Sequence, residues 1–374
     1  MFNKIHDGVE WRGSHQVVRA QAWGTDSIRV RAGLSTLHDV PGALHEKPDA
    51  TPEVSVEEDR ALVVNGTLTL EISGDGMLRF TRTDTGEELL QEERAHFWWP
   101  GPRAYTSTGN GYYRIEQRFS AQPDERLYGL GQHTHGLLDQ KGAVIDLVQR
   151  NAEVTIPFMV SSRGYGFLWN SPAVGRVELA ETGTRWVSDS ARQIDYWVTA
   201  ADKPAEILAR YADATGHVPM LPEFASGFWQ CKLRYRTQEE LLEVAREHKR
   251  RGLPLSVIVS DFFHWTHLGD WKFDRTEWPD PQAMVEELRE LGVELMVSVW
   301  PSVSPLSENY QKMLRSGHLI ATEQGPPVHA DWADKGVDAH VQVSFYDATN
   351  PEAREFFWDR LRENYLSLGI RVWW

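Results

Sequence analysis

The stretch "LPLSVIVSD", residues 253–261, is an apolar run that ends on Ser260 and Asp261. A strand this uniformly apolar is expected to be buried on both faces, as in a parallel sheet covered by helices. Around it, one unit occurs three times: a capped amphipathic helix, a glycine and an apolar strand. Because parallel strands need crossovers of this kind, the sequence predicts successive β/α units.

Cap signals and glycines delimit the three predicted helices. They run from the capping box at Thr237 to Gly252, from Asp280-Pro281 to Gly292, and from near Thr349-Asn350-Pro351 to Gly369. The apolar spacing of the first two predicts an inward face made of Leu241, Leu242, Ala245, Met284, Val285 and Leu288.

Polar or aromatic residues stand at the carboxyl end of each predicted strand: Cys231 with Lys232, Ser260 with Asp261, Trp300, and Trp373 with Trp374. An open doubly wound sheet also fits the β/α pattern, but β/α barrels place their chemistry at this rim, which favours a barrel. "FASGFWQC", residues 224–231, brings the strand count to four. A barrel needs eight strands and about 250 residues. The expectation is therefore the first half of a (β/α)8 TIM barrel, cut at strand four.

The preceding part of the chain has a different period. Up to about residue 200, short apolar runs alternate with polar residues between turn signals, which predicts an antiparallel β-sandwich. Asn65-Gly66 is predicted to form a type I′ hairpin turn. A helix is expected after Lys203-Pro204, and the proline-rich "VPMLPEF" at 218–224 reads as a connector. The predicted domains are residues 1–217 and 218–374.

Composition narrows the classes of function. The net charge of -15 leaves no basic surface for nucleic acid, and the single cysteine, Cys231, excludes an internal disulfide. No apolar signal segment or membrane span is evident, so we expect a cytoplasmic protein that does not contact a membrane.

Cofactor and metal sites are not expected. "YGLGQHTHG" contains Gly129 and Gly131 but has Thr134 where a dinucleotide fingerprint has its third glycine. His133 and His135 could ligate a metal from one face of a strand, but no third ligand lies at a sequence spacing typical of metal sites.

Asp261 is the strongest candidate site residue, because a carboxylate at the end of a buried strand is costly unless it is paired. One reading is a strand-end cap or salt bridge. The other is a pocket floor that accepts hydrogen bonds from substrate hydroxyls. Trp300 and Ser298 end the next strand and share one face. A tryptophan wall beside a carboxylate floor is typical of sugar binding, and the chain has 16 tryptophans.

Five separated stretches resemble, in order and spacing, the retaining α-glycosidases of glycoside hydrolase family 31, which include α-xylosidases, α-glucosidases and α-transglucosylases. They are "ERLYGLGQHTHGLLDQKG", "NAEVTIPFMVSSRGYGFLWNSP", "LPEFASGFWQCKLRYRTQEELLEVAREHKRRGLPLSVIVSDFFHW", "GDWKFDRTEWPDPQAMVEELRELGVELMVSVWPSV" and "YDATNPEAREFFW". The resemblance implies a galactose-mutarotase-like β-sandwich followed by a β/α barrel.

The resemblance also implies roles for particular residues. Asp261 matches the strand-two aspartate that binds the sugar to be cleaved, and Trp300 lies beside the strand-three position that lines the same subsite. Tyr235 is implied to line the same subsite, while Phe262 and Phe263 occupy a loop that varies with substrate among family members.

The family's chemistry is double displacement by two aspartates about 5 to 5.5 Å apart, one as nucleophile and one as acid/base. The resemblance places the nucleophile just after Trp374 and the acid/base further on. We therefore expect a truncated family member that is inactive alone. Its full-length parent is expected to hydrolyse terminal α-xylosidic or α-glucosidic bonds in an α-linked oligosaccharide or glycoside, and it could form a homo-oligomer. The alternatives are an α-transglucosylase parent, a non-catalytic carbohydrate-binding or interaction protein, and a different enzyme on an open α/β sheet.

Overall fold

The structure is a computed structural model that describes residues 1–40, 42–45, 48–94, 97, 101–322, 324–337 and 340–374. These residues divide into two compact units, Met1–Val218 and Pro219–Trp374. Each unit has its own hydrophobic core.

The first unit is built of β-strands followed by one helix. Its elements are β1 (Phe2–Ile5), β2 (Gly8–Gly13), β3 (Gln16–Ala22), β4 (Ser27–Leu34), β5 (Glu53–Val56), β6 (Arg60–Asn65), β7 (Leu68–Ser73), β8 (Leu78–Arg82), β9 (Glu88–Gln91), β10 (Arg103–Gly109), β11 (Tyr112–Ser120), β12 (Leu127–Gln132), β13 (Val144–Leu147), β14 (Val154–Ser161), β15 (Tyr165–Trp169), β16 (Gly175–Leu179), β17 (Gly183–Ala191), β18 (Ile194–Ala200) and α1 (Pro204–Thr215).

The strands of the first unit form three antiparallel sheets that contribute to one core. Their orders are β1-β2-β3-β4-β18-β15-β14-β12, then β10-β11-β17-β16-β13, and β5-β6-β7-β8-β9. Val30, Leu70 and Trp186, one residue from each sheet, are fully buried in that core. The predicted antiparallel β architecture is confirmed. The third sheet is a consecutive meander that the alternation alone did not separate from the other two.

The hairpin between β6 and β7 exists, but its turn differs from the prediction. Asn65 pairs with Leu68, so Gly66 and Thr67 are the two turn residues. Gly66 has a φ of 60°, whereas Asn65 stays in the strand. The Asn65 side-chain amide donates to the carbonyl oxygens of Gly24 and Ser27, at 2.7 and 2.8 Å. These bonds hold Asn65 in the strand, and the predicted type I′ turn is therefore wrong.

The second unit alternates strands and helices. Its elements are a 3-10 turn (Glu223–Ser226), β19 (Trp229–Cys231), α2 (Gln238–Arg250), β20 (Val257–Ser260), α3 (Pro281–Glu290), β21 (Glu294–Val297), β22 (Ser302–Val303), α4 (Tyr310–Arg315), β23 (Ala330–Trp332), β24 (Val341–Phe345), α5 (Pro351–Asn364), a second 3-10 turn (Leu366–Leu368) and β25 (Val372–Trp373).

Four of these strands form a parallel sheet in the order β19-β20-β21-β25, as the repeated β/α unit predicts. The helices between them begin at the predicted caps. Thr237 accepts a hydrogen bond from the Glu240 N–H, and Asp280 accepts one from the Ala283 N–H. All six residues predicted to face inward on α2 and α3 are buried. None of the described helices combines the length and apolar character needed to cross a bilayer.

The segment between β21 and α5 holds structure that the sequence analysis did not predict. Strands β22, β24 and β23 form a small antiparallel sheet, and α4 lies within the same segment. The strands have two, five and three residues. Runs this short carry little periodic signal, and this is why the pattern analysis passed over them.

Candidate functional site

Asp261 directly follows β20, at the carboxyl end of the parallel sheet, and its side chain is nearly buried, at 9% exposure for the residue. Its Oδ1 accepts hydrogen bonds from the Phe262 N–H at 2.7 Å and from the Ser298 hydroxyl at 2.8 Å. Among the described residues, no hydrogen bond to Oδ2 is found. Among the described residues, Asp261 is therefore held through Oδ1.

Strand register brings Asp261 and Ser298 together. Ser260 pairs with Val297 in the parallel ladder, and the Ser298 N–H donates to the Ser260 carbonyl. The next strand continues the row, because Val297 pairs with Trp373 and the Val299 N–H donates to the Trp374 carbonyl. The carboxyl ends of three strands thus place Asp261, Ser298 and Trp374 side by side. The sequence analysis put Ser298 on this face but did not identify its bond to Asp261.

Aromatic rings lie next to this row. Phe262 stacks on Trp300, with ring centroids 5.0 Å apart and an interplanar angle of 19°. Trp332, from β23, meets the same Trp300 edge-on at 6.0 Å and is 49% exposed. Phe262, Trp300 and Trp332 therefore form a partly exposed aromatic group beside the Asp261 loop. Trp332 was missed because its strand was not predicted, although a tryptophan in so polar a stretch is itself a signal.

His264 fixes the backbone of the Asp261 loop. Its Nδ1 lies 3.0 Å from the Asp261 carbonyl oxygen, and its Nε2 lies 2.8 Å from the Tyr365 hydroxyl. A carbonyl oxygen only accepts, so Nδ1 carries the proton and Nε2 accepts from Tyr365. Burial lowers the pKa of His264 to about 4, which keeps the ring neutral. This bridge from the loop to Tyr365, which precedes β25, gave no signal in the sequence.

Other carboxylates near the site are occupied by structural hydrogen bonds. Asp270 accepts from the His267 and Glu308 N–H groups with its two oxygens. Asp334 likewise uses both oxygens, accepting from the Leu268 N–H and from His267 Nδ1. These bonds tie the loop after β20 to the segment between β21 and α5, and they leave the two carboxylates fully used.

The remaining predicted site residues lie in different surroundings. Tyr235 is buried in the hydrophobic cluster under α2, and its hydroxyl accepts from Gln230 Nε2 at 3.1 Å. It presents little surface to a ligand, and its role as a wall stays a prediction. Phe263 contacts Phe262 with ring centroids 4.6 Å apart and lines an open cavity with it. Phe263 adopts a φ of 67°, a left-handed conformation that is uncommon for an aromatic residue.

Cys231, at the end of β19, faces the same rim. Burial and the nearby negative charge of Asp261 raise the pKa of its thiol. The thiol is therefore protonated and weakly nucleophilic at neutral pH.

The histidine pair considered as a metal site lies in the first unit. The rings of His133 and His135 stack at 5.6 Å, and His133 Nε2 is bonded to the Leu130 carbonyl. Within the part of the chain that the structure describes, no group of three or more His, Cys, Asp or Glu side chains is placed to hold a metal ion.

Both units match models of known domains. Residues 17–178 match the glycosyl hydrolase 31 N-terminal galactose mutarotase-like domain, and residues 218–374 match the glycosyl hydrolases family 31 TIM-barrel domain. An uncharacterized family 31 glucosidase of Pseudescherichia vulneris is 40% identical over 98% of this chain and 72% of that protein. The chain belongs to glycoside hydrolase family 31. The resemblance drawn from the five motifs is thereby confirmed, as is the fold of a mutarotase-like domain followed by part of a TIM barrel.

Two further relatives of this family 31 chain are named as α-xylosidases. Alpha-xylosidase A of Aspergillus niger is 34% identical over 98% of this chain and 52% of that protein. The crystal structure of a GH31 α-xylosidase from a soil metagenome, complexed with xylose, has a TM-score of 0.92 and 44% identity, and the match covers 100% of this chain and 57% of that one. The family 31 chain thus spans about half to three quarters of the length of these relatives.

Proposed function

We propose that this chain supplies the sugar-binding side of the site of a retaining α-glycosidase that hydrolyses terminal α-xylosidic or α-glucosidic bonds by double displacement. The observation that carries the proposal is the nearly buried Asp261 carboxylate, held through Oδ1 and unpaired at Oδ2 among the described residues, beside the Phe262–Trp300 stack. A carboxylate oxygen of this kind accepts hydrogen bonds from sugar hydroxyls, while aromatic faces pack against the C–H face of a sugar ring.

Asp261 binds rather than reacts in this proposal. Its bonds to Ser298 and the Phe262 N–H set the direction of Oδ2, so a sugar hydroxyl meets an oriented acceptor. The chemistry requires two further aspartates, a nucleophile and an acid/base. The nucleophile is proposed to lie just after Trp374, which stands in the same row as Asp261 and Ser298. Residues 1–374 alone are therefore expected to bind a glycoside without hydrolysing it.

The names of the relatives support an α-xyloside or α-glucoside as the substrate. The relative at 44% identity was crystallised with xylose, and the A. niger relative is an α-xylosidase. We accordingly take α-xylosides as the first substrates to test and α-glucosides as the second.

Binding by residues 1–374 tests the role of Asp261. The dissociation constant for methyl α-xyloside is measured by calorimetry for unsubstituted residues 1–374 and for Asp261→Asn. Asp359→Asn, on the exposed face of α5, is the control. Replacing the carboxylate is expected to weaken binding by about tenfold or more, since a hydrogen bond to a charged group contributes roughly 1.5–3 kcal/mol. The control should bind like the parent chain.

Two results would contradict the proposal. Unchanged affinity in Asp261→Asn would move sugar binding away from this rim and favour a non-catalytic carbohydrate-binding protein. Release of p-nitrophenol from p-nitrophenyl α-xyloside by repurified residues 1–374 would show that the chain holds its own catalytic pair.

A further inference from the structure

An open cavity of about 780 Å³ adjoins the Asp261 loop. Phe262 and Phe263 form its apolar side. Its other lining residues come from the loop after β19, from the first turn of α2 and from the segment between β23 and β24. They are Lys232, Leu233, Arg234, Arg236, Glu240, Asp334, Lys335 and Gly336, and six of these eight are charged. We call this cavity the cationic groove, because basic side chains outnumber acidic ones in its lining.

Two of the four cations in the cationic groove are neutralised by carboxylates. Lys232 pairs with Glu240. The Lys335 ammonium donates to Asp274 and Glu277, at 2.6 Å each. These two cations therefore have little charge left for a ligand.

The two arginines are different. For Arg234 and Arg236, no carboxylate oxygen lies within 4.0 Å among the residues that the structure describes. Both acidic groups of the lining are already engaged, Glu240 with Lys232 and Asp334 with backbone N–H groups and His267. Arg234 and Arg236 are therefore the two cations of the groove whose guanidinium groups are not paired with a carboxylate among the described residues.

Arg234 is also held in position. Its guanidinium lies 5.4 Å from the centroid of the Phe263 ring, a cation–π contact. A guanidinium stacked in this way keeps its in-plane N–H donors available, and two parallel N–H groups match the two oxygens of a carboxylate. Phe263 thus helps to hold Arg234 in the lining of the groove without neutralising its charge.

We propose that the cationic groove binds a carboxylate-bearing part of the glycoside, outside the sugar that Asp261 holds. This inference rests on the proposed function, because it assumes a sugar at Asp261. It narrows the substrate class to α-glycosides with an acidic group, such as a uronic acid or an acidic aglycone, next to the cleaved bond. The overall negative charge of the chain repels anions, so a local site is needed to attract one.

A matched pair of ligands tests the inference. 4-Carboxyphenyl α-xyloside and 4-carbamoylphenyl α-xyloside have nearly the same shape and differ by one negative charge. Their dissociation constants for residues 1–374 are measured by calorimetry in 20 mM and in 500 mM NaCl. The carboxylate ligand is expected to bind about three- to tenfold more tightly in low salt, and the ratio should approach one in high salt.

A double variant assigns the effect to the groove. Arg234→Gln with Arg236→Gln should remove the preference for the carboxylate ligand and leave the affinity for the neutral ligand unchanged. Arg251→Gln with Arg315→Gln removes the same charge from two exposed sites outside the groove and should keep the preference. A preference that both double variants reduce equally would reflect net charge only and would overturn the inference.

The remaining outcomes separate the inference from the proposed function. Equal affinity for the two ligands in low salt overturns the inference and leaves the proposed function intact. If Asp261→Asn weakens both ligands while their ratio persists, both statements stand. If the neutral ligand does not bind, the proposed function fails, and the inference fails with it.

Discussion

The buried imidazole of His264 makes the stability of the second unit depend on pH. Burial lowers its pKa from 6.5 to about 4, and both ring nitrogens are engaged, with the Asp261 carbonyl and the Tyr365 hydroxyl. As the pH falls, a histidine whose pKa is lowered by folding is protonated in the unfolded chain at a higher pH than in the folded chain. Its contribution is therefore neutral above pH 6.5 and increasingly destabilising as the pH falls from about 6.5 to 4.

The size of the effect follows from the two pKa values. Linkage between 6.5 in the unfolded chain and about 4 in the folded one lowers the free energy of unfolding by about 1.8 kcal/mol between pH 7 and pH 5. His264→Gln removes the titrating group. The variant loses at least one of the two buried hydrogen bonds and is expected to be less stable at pH 7, by about 1–3 kcal/mol. The difference in unfolding free energy between His264→Gln and the unsubstituted chain should shrink as the pH falls, because only the unsubstituted chain is destabilised by keeping His264 neutral.

The assay is urea unfolding at pH 7, 6 and 5, followed by tryptophan fluorescence. The stability difference between the parent chain and His264→Gln should narrow by about 1.8 kcal/mol between pH 7 and pH 5. His340→Gln, at an exposed position of the same unit, is measured alongside as the control for the loss of one histidine. If the difference for His264→Gln does not change with pH, the histidine titrates normally in the folded protein and the reasoning is wrong.

Two further substitutions test the packing described above. Gly66→Ala adds a side chain at a φ of 60° and places its Cβ 1.9 Å from Asp26 Oδ1, so it should destabilise the first unit by about 2 kcal/mol or more in thermal unfolding. Gly86→Ala is the control in the same experiment. Gly86 has a φ of 71° with open space around it, so this substitution should cost only about 1 kcal/mol. In the second unit, burial alone would raise the pKa of Asp274, but hydrogen bonds from Lys335 and Thr276 lower it to about 2. Lys335→Met should therefore lower the free energy of unfolding at pH 7 by about 1 kcal/mol after allowance for solvent screening. In urea titrations this deficit should disappear as the pH falls from about 4 to 2, because Asp274 becomes protonated. A deficit that is constant with pH would contradict the role of the ion pair.

Much of the second unit was predictable because its signals are local. Thr237 and Asp280 cap their helices through side-chain oxygens, and the inward faces of α2 and α3 follow from the spacing of apolar residues. The glycines that end these helices adopt positive φ, as Gly252 and Gly292 do. Each of these features depends on residues a few positions apart, which a single sequence displays directly.

The features that escaped prediction depend on residues far apart in the chain or on very short elements. The Ser298–Asp261 bond joins residues 37 positions apart, and the His264–Tyr365 bond joins residues 101 apart. Such contacts require the strand register, which periodicity does not supply. The small sheet that carries Trp332 escaped for a different reason, since its strands are too short to show a period.

Asp261 is distinguished from its neighbours by its free oxygen rather than by its charge. Acidic residues are numerous around the loop after β20, and the sequence analysis separated Asp261 from them only by its position at the end of a buried strand. In the structure, Asp270, Asp274 and Asp334 each use both carboxylate oxygens within the protein, and each thereby joins segments distant in the chain. Asp261 uses Oδ1 alone among the described residues. Its Oδ2 is therefore an acceptor that a ligand hydroxyl can reach. This acceptor, at the carboxyl end of a parallel sheet, is the physical reason for proposing that the sugar binds at Asp261.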